Sequence, residues 1–200
     1  MRRAFLLFCA VLAGCAAPGT IPNRPVPGAD PWTLHRAAVA AVERFDLEGR
    51  IAIQRGGEGG SAQVRWHQDG PRFELRIIAP LGRGTAVLAG DADQVSLLTP
   101  DGARYVARDV ETLMAEHLRW ALPVAGARYW VRGVPAPDAP VQSLRTDDAG
   151  RLKDMEQSGW RVSVLDYTRA ADLDLPAKLY LTRGELQLRM VIALWTPVKP

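Results

Sequence analysis

The chain has only two cysteines, Cys9 and Cys15, and both fall within its first fifteen residues. The rest of the chain contains no cysteine, so it can form no internal disulfide and offers no thiol nucleophile. Histidine is as scarce. His35, His67 and His117 lack metal-ligand spacing, and none adjoins a cysteine, so a zinc site has no support. None of the five serines sits in a G-x-S-x-G turn. The glycines at 56–60 lack the Lys-Ser/Thr of a phosphate loop and do not open a helix; a hairpin turn explains them better. Asp147, Asp148, Asp172 and Asp174 read as loop carboxylates, which are far commoner than paired glycosidase acids. Every apolar segment is interrupted by Arg, Asp, Glu or Gly before the roughly 20 residues a bilayer crossing needs. Charge of one sign never accumulates either. Arg65, Arg76, Arg145, Arg161 and Arg189 are scattered among acids, as on a solvated face. No repeat of 20–50 residues is present, which argues against a solenoid or propeller. The expectation is a non-enzyme with no cofactor, no metal and no nucleic-acid partner.

What the chain does have begins at its amino terminus. Arg2 and Arg3 precede a short apolar run from Ala4 to Val11, then Leu12-Ala13-Gly14-Cys15. A basic start, a run of about 7–15 apolar residues and small residues before a cut mark a secretory signal. With cysteine after the small pair, the stretch resembles the lipobox of bacterial lipoproteins. In that motif the Cys15 thiol receives a diacylglyceryl group, the chain is cut before Cys15, and the new terminus is acylated. Removing Arg2 and Arg3 lowers the formal net charge of +3 by two, so the basic pI says little about partners. Residues 16–30 hold four prolines and two glycines and read as a flexible tether. The expected organisation is a signal over 1–14, a lipidated tether over 15–30 and one domain over 31–200, long enough for a sizeable core.

Asp30-Pro31 predicts a helix start running to about Glu43, with Leu34, Ala38, Val39 and Val42 inward. From Phe45 the apolar period drops to two, the mark of half-buried strands. Phe45, Leu47, Ile51 and Ile53 alternate with polar residues, as do Val64 and Trp66, then Phe73, Leu75 and Ile77. Further strands are expected around 85–89, 94–99 and 104–106. Asp109 can cap a helix, and a second is expected over 124–131. Strands resume at 141–146, 151–157, 160–167, 178–182 and 185–195. In the last, Leu186, Leu188, Met190, Ile192 and Leu194 share one face. About eleven strands with inserted helices predict a mainly β, α+β fold. It is a curled antiparallel sheet that closes into a barrel or stays open with helices on its apolar side.

One turn is unusual. In Ile77-Ile78-Ala79-Pro80-Leu81-Gly82-Arg83-Gly84 a leucine stands between turn formers where polar residues are normal. It can dip into lipid with Arg83 at the headgroups, or fold back onto the core.

Several pieces taken in order resemble the LolB family of outer-membrane lipoprotein receptors. They are the lipobox at Cys15, Trp32, the Gly49-Arg50 step, Trp66, Pro80-Leu81-Gly82 and Asp101-Gly102 with Tyr105. Tyr129-Trp130-Val131-Arg132-Gly133-Val134-Pro135, Gly159-Trp160-Arg161-Val162, the 179–190 hairpin and Trp195 complete the series. The resemblance implies an open antiparallel half-barrel with helices over an apolar cavity. It also implies a monomer that accepts acylated lipoprotein cargo from the periplasmic carrier LolA. The protein would then place that cargo in the inner leaflet of the outer membrane, where its own lipid anchors it facing the periplasm. The membrane-directed leucine of the family falls on Leu81, within Pro80-Leu81-Gly82. Ala16 after Cys15 resembles the rule that sends lipoproteins outward. Candidate cavity residues are Trp66, Leu75, Ile77, Trp160, Val162, Leu186, Leu188 and Met190, any of which could equally belong to a filled core. The alternative is a structural lipoprotein that scaffolds an envelope complex.

Overall fold

A computed structural model describes residues 28–117 and 124–198. The signal, Cys15 and most of the tether therefore lie outside the described residues. Asp30 caps the first helix, α1 (Pro31–Ala40), as its spacing predicts. Its carboxylate accepts from the Thr33 amide (3.1 Å) and the Thr33 hydroxyl (2.6 Å), and Pro31 occupies the first turn. The helix ends earlier than expected, and its inward stripe is Trp32, His35 and Val39. Leu34 and Ala38 face solvent, because a short helix laid across a sheet buries only one narrow stripe.

Six strands follow: β1 (Arg44–Arg55), β2 (Glu58–Asp69), β3 (Arg72–Ile78), β4 (Thr85–Gly90), β5 (Val95–Leu98) and β6 (Arg104–Ala107). After α2 (Val110–His117) and α3 (Val124–Trp130) come five more. These are β7 (Val141–Thr146), β8 (Leu152–Gln157), β9 (Trp160–Ala170), β10 (Leu173–Arg183) and β11 (Leu186–Val198). All pair antiparallel in one sheet of order β6-β5-β4-β3-β2-β1-β11-β10-β9-β8-β7. Two meanders are thus welded by the β1–β11 pairing, and the short strands β6 and β7 form the edges. Gly56 and Gly57 alone make the β1–β2 turn, while Glu58, Gly59 and Gly60 already belong to β2.

Strand parity decides what faces the core, and one bulge resets it. Along the β1–β11 ladder Ile53 pairs with Leu188, Ile51 with Met190 and Gly49 with Ile192. The next partner of β1 is Leu194, opposite Glu48, so Ala193 is an extra residue on β11. A one-residue insertion turns every following side chain to the other face. Leu194 is consequently 55% exposed and Trp195 is buried, the reverse of what uninterrupted alternation predicts. Gly49 sits at this point because a Cβ there would collide with the Val191 carbonyl.

β9 and β10 also run further toward their shared turn than their expected strands. Ala171 and Asp172 make a two-residue turn with both φ positive (45° and 65°), the twist-compatible hairpin geometry. Pro176 is tolerated because the ladder shifts register between it and Lys178. Asp174 is accordingly a strand residue, not a loop acid, and pairs with Arg169 (3.3 Å) and Arg151 (3.8 Å). Asp147 does lie in a loop, where it accepts from the backbone amides of Ala149 and Arg151 and from the Arg151 guanidinium. Burial alone would raise that carboxyl, but the bonds from Arg151 outweigh it and hold the pKa below the ordinary value.

The apolar face of the sheet closes over a core drawn from β1–β5, β8–β11 and the three described helices, with Tyr105 and Ala107 of β6 and Leu144 of β7 packed against it. Asp109 caps α2, accepting from the Thr112 amide (2.8 Å) and hydroxyl (2.6 Å). Val110, Leu113 and Met114 of α2 point inward, and His117 stacks on Tyr105 of β6 with ring centroids 3.6 Å apart. No described helix is long and apolar enough to cross a membrane.

Candidate functional site

The apolar inner face and the tip between β3 and β4 are the two parts of the candidate site. All eight cavity candidates point inward and are at most 9% exposed. Cross-strand pairing sets six of them beside other inward apolar residues. Trp66 pairs with Leu75, and Ile77 lies opposite Val64. Leu188 and Met190 sit between Ile53 and Ile51 of β1 and Leu181 and Leu179 of β10. Leu181 in turn pairs with Val162. The result is a continuous apolar stripe across β3, β2, β1, β11, β10 and β9, built by period-two alternation alone. Of the eight, Trp160 also lines clefts at the margin of the sheet. The stripe is packed against protein in this conformation; α3 meets it where the Trp130 ring lies 6.3 Å from that of Trp160, while α2 packs on β5 and β6.

Leu81 occupies the tip. It is 95% exposed and left-handed (φ 59°, ψ 34°) inside the 3₁₀ turn Pro80–Gly82. That conformation costs an L-residue about 1–2 kcal/mol relative to the right-handed well. The loop is closed behind it by the Ala79 amide, which donates to the Gly84 carbonyl (3.0 Å). Pro80 fixes one flank, and Gly82 supplies a second positive φ on the other (69°). The side chain is thereby projected into solvent, and the reading in which it folds back onto the core does not hold. Arg83 curls toward the loop, its Nε 3.4 Å from the Pro80 carbonyl.

Among the described residues three polar side chains are buried, and two of them, Gln157 and Arg132, tie α3 to its surroundings. Gln157 at the end of β8 is 0% exposed. Its amide oxygen accepts from the Trp130 indole (2.7 Å) and the Ala136 amide (2.9 Å), and its nitrogen donates to the Ala136 and Ala139 carbonyls (both 2.8 Å). Gln68, in β2, braces the turn between β2 and β3 instead. It accepts from Trp66 (2.9 Å) and donates to the carbonyls of Gly70 and Arg72. Arg132, just after α3, donates to the Arg128 and Val42 carbonyls and lies over the rings of Phe45 and Tyr129. Burial draws its guanidinium pKa below the usual arginine value. A glutamine at an inward parity was the available signal for Gln68 and Gln157. Nothing local distinguishes Arg132 from a surface arginine.

The helices leave openings at the sheet margin. One of about 460 Å3 lies among Phe73, Val95, Val110, Val124 and Arg128. Another of about 360 Å3 lies among Trp130, Trp160, Glu111, Arg183 and Arg128. Burial, reinforced by the nearby Asp109 charge and opposed by Arg183, pushes the Glu111 carboxyl pKa up.

The curled antiparallel sheet with helices packed on its apolar face is shared with solved structures. A LolA superfamily protein from Nitrosomonas europaea superposes with a TM-score of 0.56 at 7% identity, covering 84% of this chain and 94% of that one. A DUF1329 family protein from Desulfovibrio piger gives a TM-score of 0.54 at 8% identity, with the same coverages. At such identities the likeness is one of fold.

Sequence comparison narrows the class. The family model described as outer membrane lipoprotein LolB matches residues 43–195. The outer-membrane lipoprotein LolB of Nitrosococcus oceani is 38% identical over 194 residues, 95% of this chain and 94% of its own length. That of Stutzerimonas stutzeri is 38% identical over 188 residues, 94% and 91% of the two chains. The chain belongs to the LolB family of outer-membrane lipoproteins. It is therefore a non-enzymatic outer-membrane protein with a role in lipoprotein localisation.

Proposed function

We propose that the protein receives acylated lipoproteins from the periplasmic carrier LolA on its apolar inner face and delivers them to the inner leaflet of the outer membrane. Exposing an acyl chain to water costs about 0.8 kcal/mol per methylene, on the order of 11 kcal/mol for about fourteen of them. Direct transfer between apolar surfaces avoids that cost without any covalent step. The inner stripe of Trp66, Leu75, Ile77, Trp160, Val162, Leu186, Leu188 and Met190 is the acceptor. Its two tryptophans and methionine adapt to disordered chains. Because the stripe is packed in this conformation, α3 moves away from it to admit a chain. Cys15 carries the lipid that holds the protein at the membrane, and the chain works as a monomer.

The observation that carries this reading is Leu81, a leucine held in an unfavourable backbone conformation and turned fully outward. A solvent-facing leucine in a closed, strained loop gains nothing for the fold. Dipping into lipid, it gains about 1.5–3 kcal/mol of apolar burial. Replacing Leu81 with Glu is expected to leave folding and cargo uptake intact while stopping transfer from the protein to liposomes. Transfer at the wild-type rate by that variant would remove the membrane role of the loop.

A further inference from the structure

Arg128 borders three openings around α3. They are the cleft beside Phe73 and Val110, the cleft beside Trp160 and Glu111, and a smaller one of about 280 Å3 near Gln68 and Arg132. One Arg128 terminal nitrogen donates to the Tyr129 hydroxyl (2.8 Å), and the guanidinium lies 4.7 Å from the centre of that ring. Arg132 covers the same ring at 5.3 Å. Their Nε–H groups fare differently. The Nε–H of Arg132 is spent on a backbone carbonyl, whereas that of Arg128 is buried and has no acceptor. Buried donors nearly always have a partner, so this unpaired one, on a side chain that borders three clefts, points to a ligand atom it meets when the guanidinium turns toward one of them. Among the described residues the other such atom, His35 Nε2, borders none of these clefts.

The surroundings define the acceptor. Glu111 and Asp138 offset Arg128 and Arg183 in the cleft beside Trp160, so a phosphate or free carboxylate would meet carboxylates as well as guanidinia. A neutral oxygen suits this balance better. The apolar walls, Phe73 and Val110 on one side and Trp160 and Trp130 on the other, suit hydrocarbon attached to that oxygen. We infer that Arg128 is a positioning residue for cargo. It donates to the ester and amide carbonyl oxygens at the head of an acylated cysteine, where the chains pass beneath α3. The assignment rests on the acceptor function proposed above and adds the polar group that would set cargo register.

The test uses the full mature chain with three brominated quenchers of tryptophan fluorescence: a triacylated lipopeptide, a hydrocarbon of the same chain length without carbonyls, and phosphatidylglycerol. Arg128→Met keeps the aliphatic stem and removes every donor. It is expected to weaken the lipopeptide about ten-fold, the scale of one hydrogen bond to a charged group, and to leave the hydrocarbon unchanged. Equal weakening of both, or no change for the lipopeptide, would overturn the inference. Phosphatidylglycerol losing as much as the lipopeptide would assign the site to phospholipid and overturn it as a cargo contact. If Arg128→Met does not fold, Arg128→Lys keeps the charge without an Nε–H and carries the same comparison. Wild-type protein that binds neither lipopeptide nor hydrocarbon would instead sink the acceptor function itself.

Discussion

Replacing Gln157 with Leu is the sharpest test of how α3 is held over the sheet. The side chain is fully buried and makes four hydrogen bonds to three other residues. Leucine has a similar volume, so the apolar contacts survive and the loss is polar. Two donors, the Trp130 indole and the Ala136 amide, are left without an acceptor in a place water does not reach. Each stranded donor costs about 1–3 kcal/mol, and the two carbonyls, with weaker demands, add less. The expected destabilisation is about 3–5 kcal/mol, a large share of a typical domain stability of about 5–15 kcal/mol. With a urea m-value of about 2 kcal/mol/M, the denaturation midpoint moves down by about 1.5–2.5 M. A second measurement isolates the cause. Trp130→Phe removes one of the two stranded donors, so the double variant should be less destabilised than the sum of the singles by about 1–2 kcal/mol. Additive losses, or a midpoint shift under about 0.5 M, would show that the clamp does not hold α3 as described.

Two further outcomes follow from the bulge and from α1. Gly49→Ala sets a methyl against the Val191 carbonyl, a backbone group that cannot rotate away. It should cost about 1–3 kcal/mol by thermal denaturation with the fold retained; an unchanged midpoint would mean the bulge relaxes freely. The His35 pKa is lowered, first by burial, with Arg151 acting in the same direction against Asp174 and Asp147. The unfolded chain therefore binds this proton more readily than the folded one. Its contribution is complete above the ordinary histidine pKa of about 6.5 and is lost as pH falls below it. His35→Gln should flatten the stability loss between about pH 6.5 and 5, where most carboxylates have yet to protonate. An identical pH profile for variant and wild type would assign that loss elsewhere.

Much of this protein is legible in its sequence because the relevant information is local. Caps at Asp30 and Asp109 need only a carboxylate three residues before a donor. Strand alternation needs only the two-residue repeat, and the Pro80-Leu81-Gly82 turn announces an odd leucine at a tip. The inward set from Trp66 to Met190 is placed on the core face by that same repeat.

Tertiary structure decided what depends on a distant partner. The exchange of Leu194 for Trp195 on the core face follows from an extra residue measured against β1, some 145 positions away in the chain. Asp174 became a paired strand residue because the β9–β10 ladder absorbs Pro176 through a register shift. The lodging of Arg132 on the Val42 carbonyl and of Trp130 on Gln157 joins segments that sequence proximity does not connect. The periodicity of a strand determines which faces exist. Only the closure of the sheet on its helices determines which polar atoms are buried there, and that the Nε–H of Arg128 is among those left with a hydrogen to give.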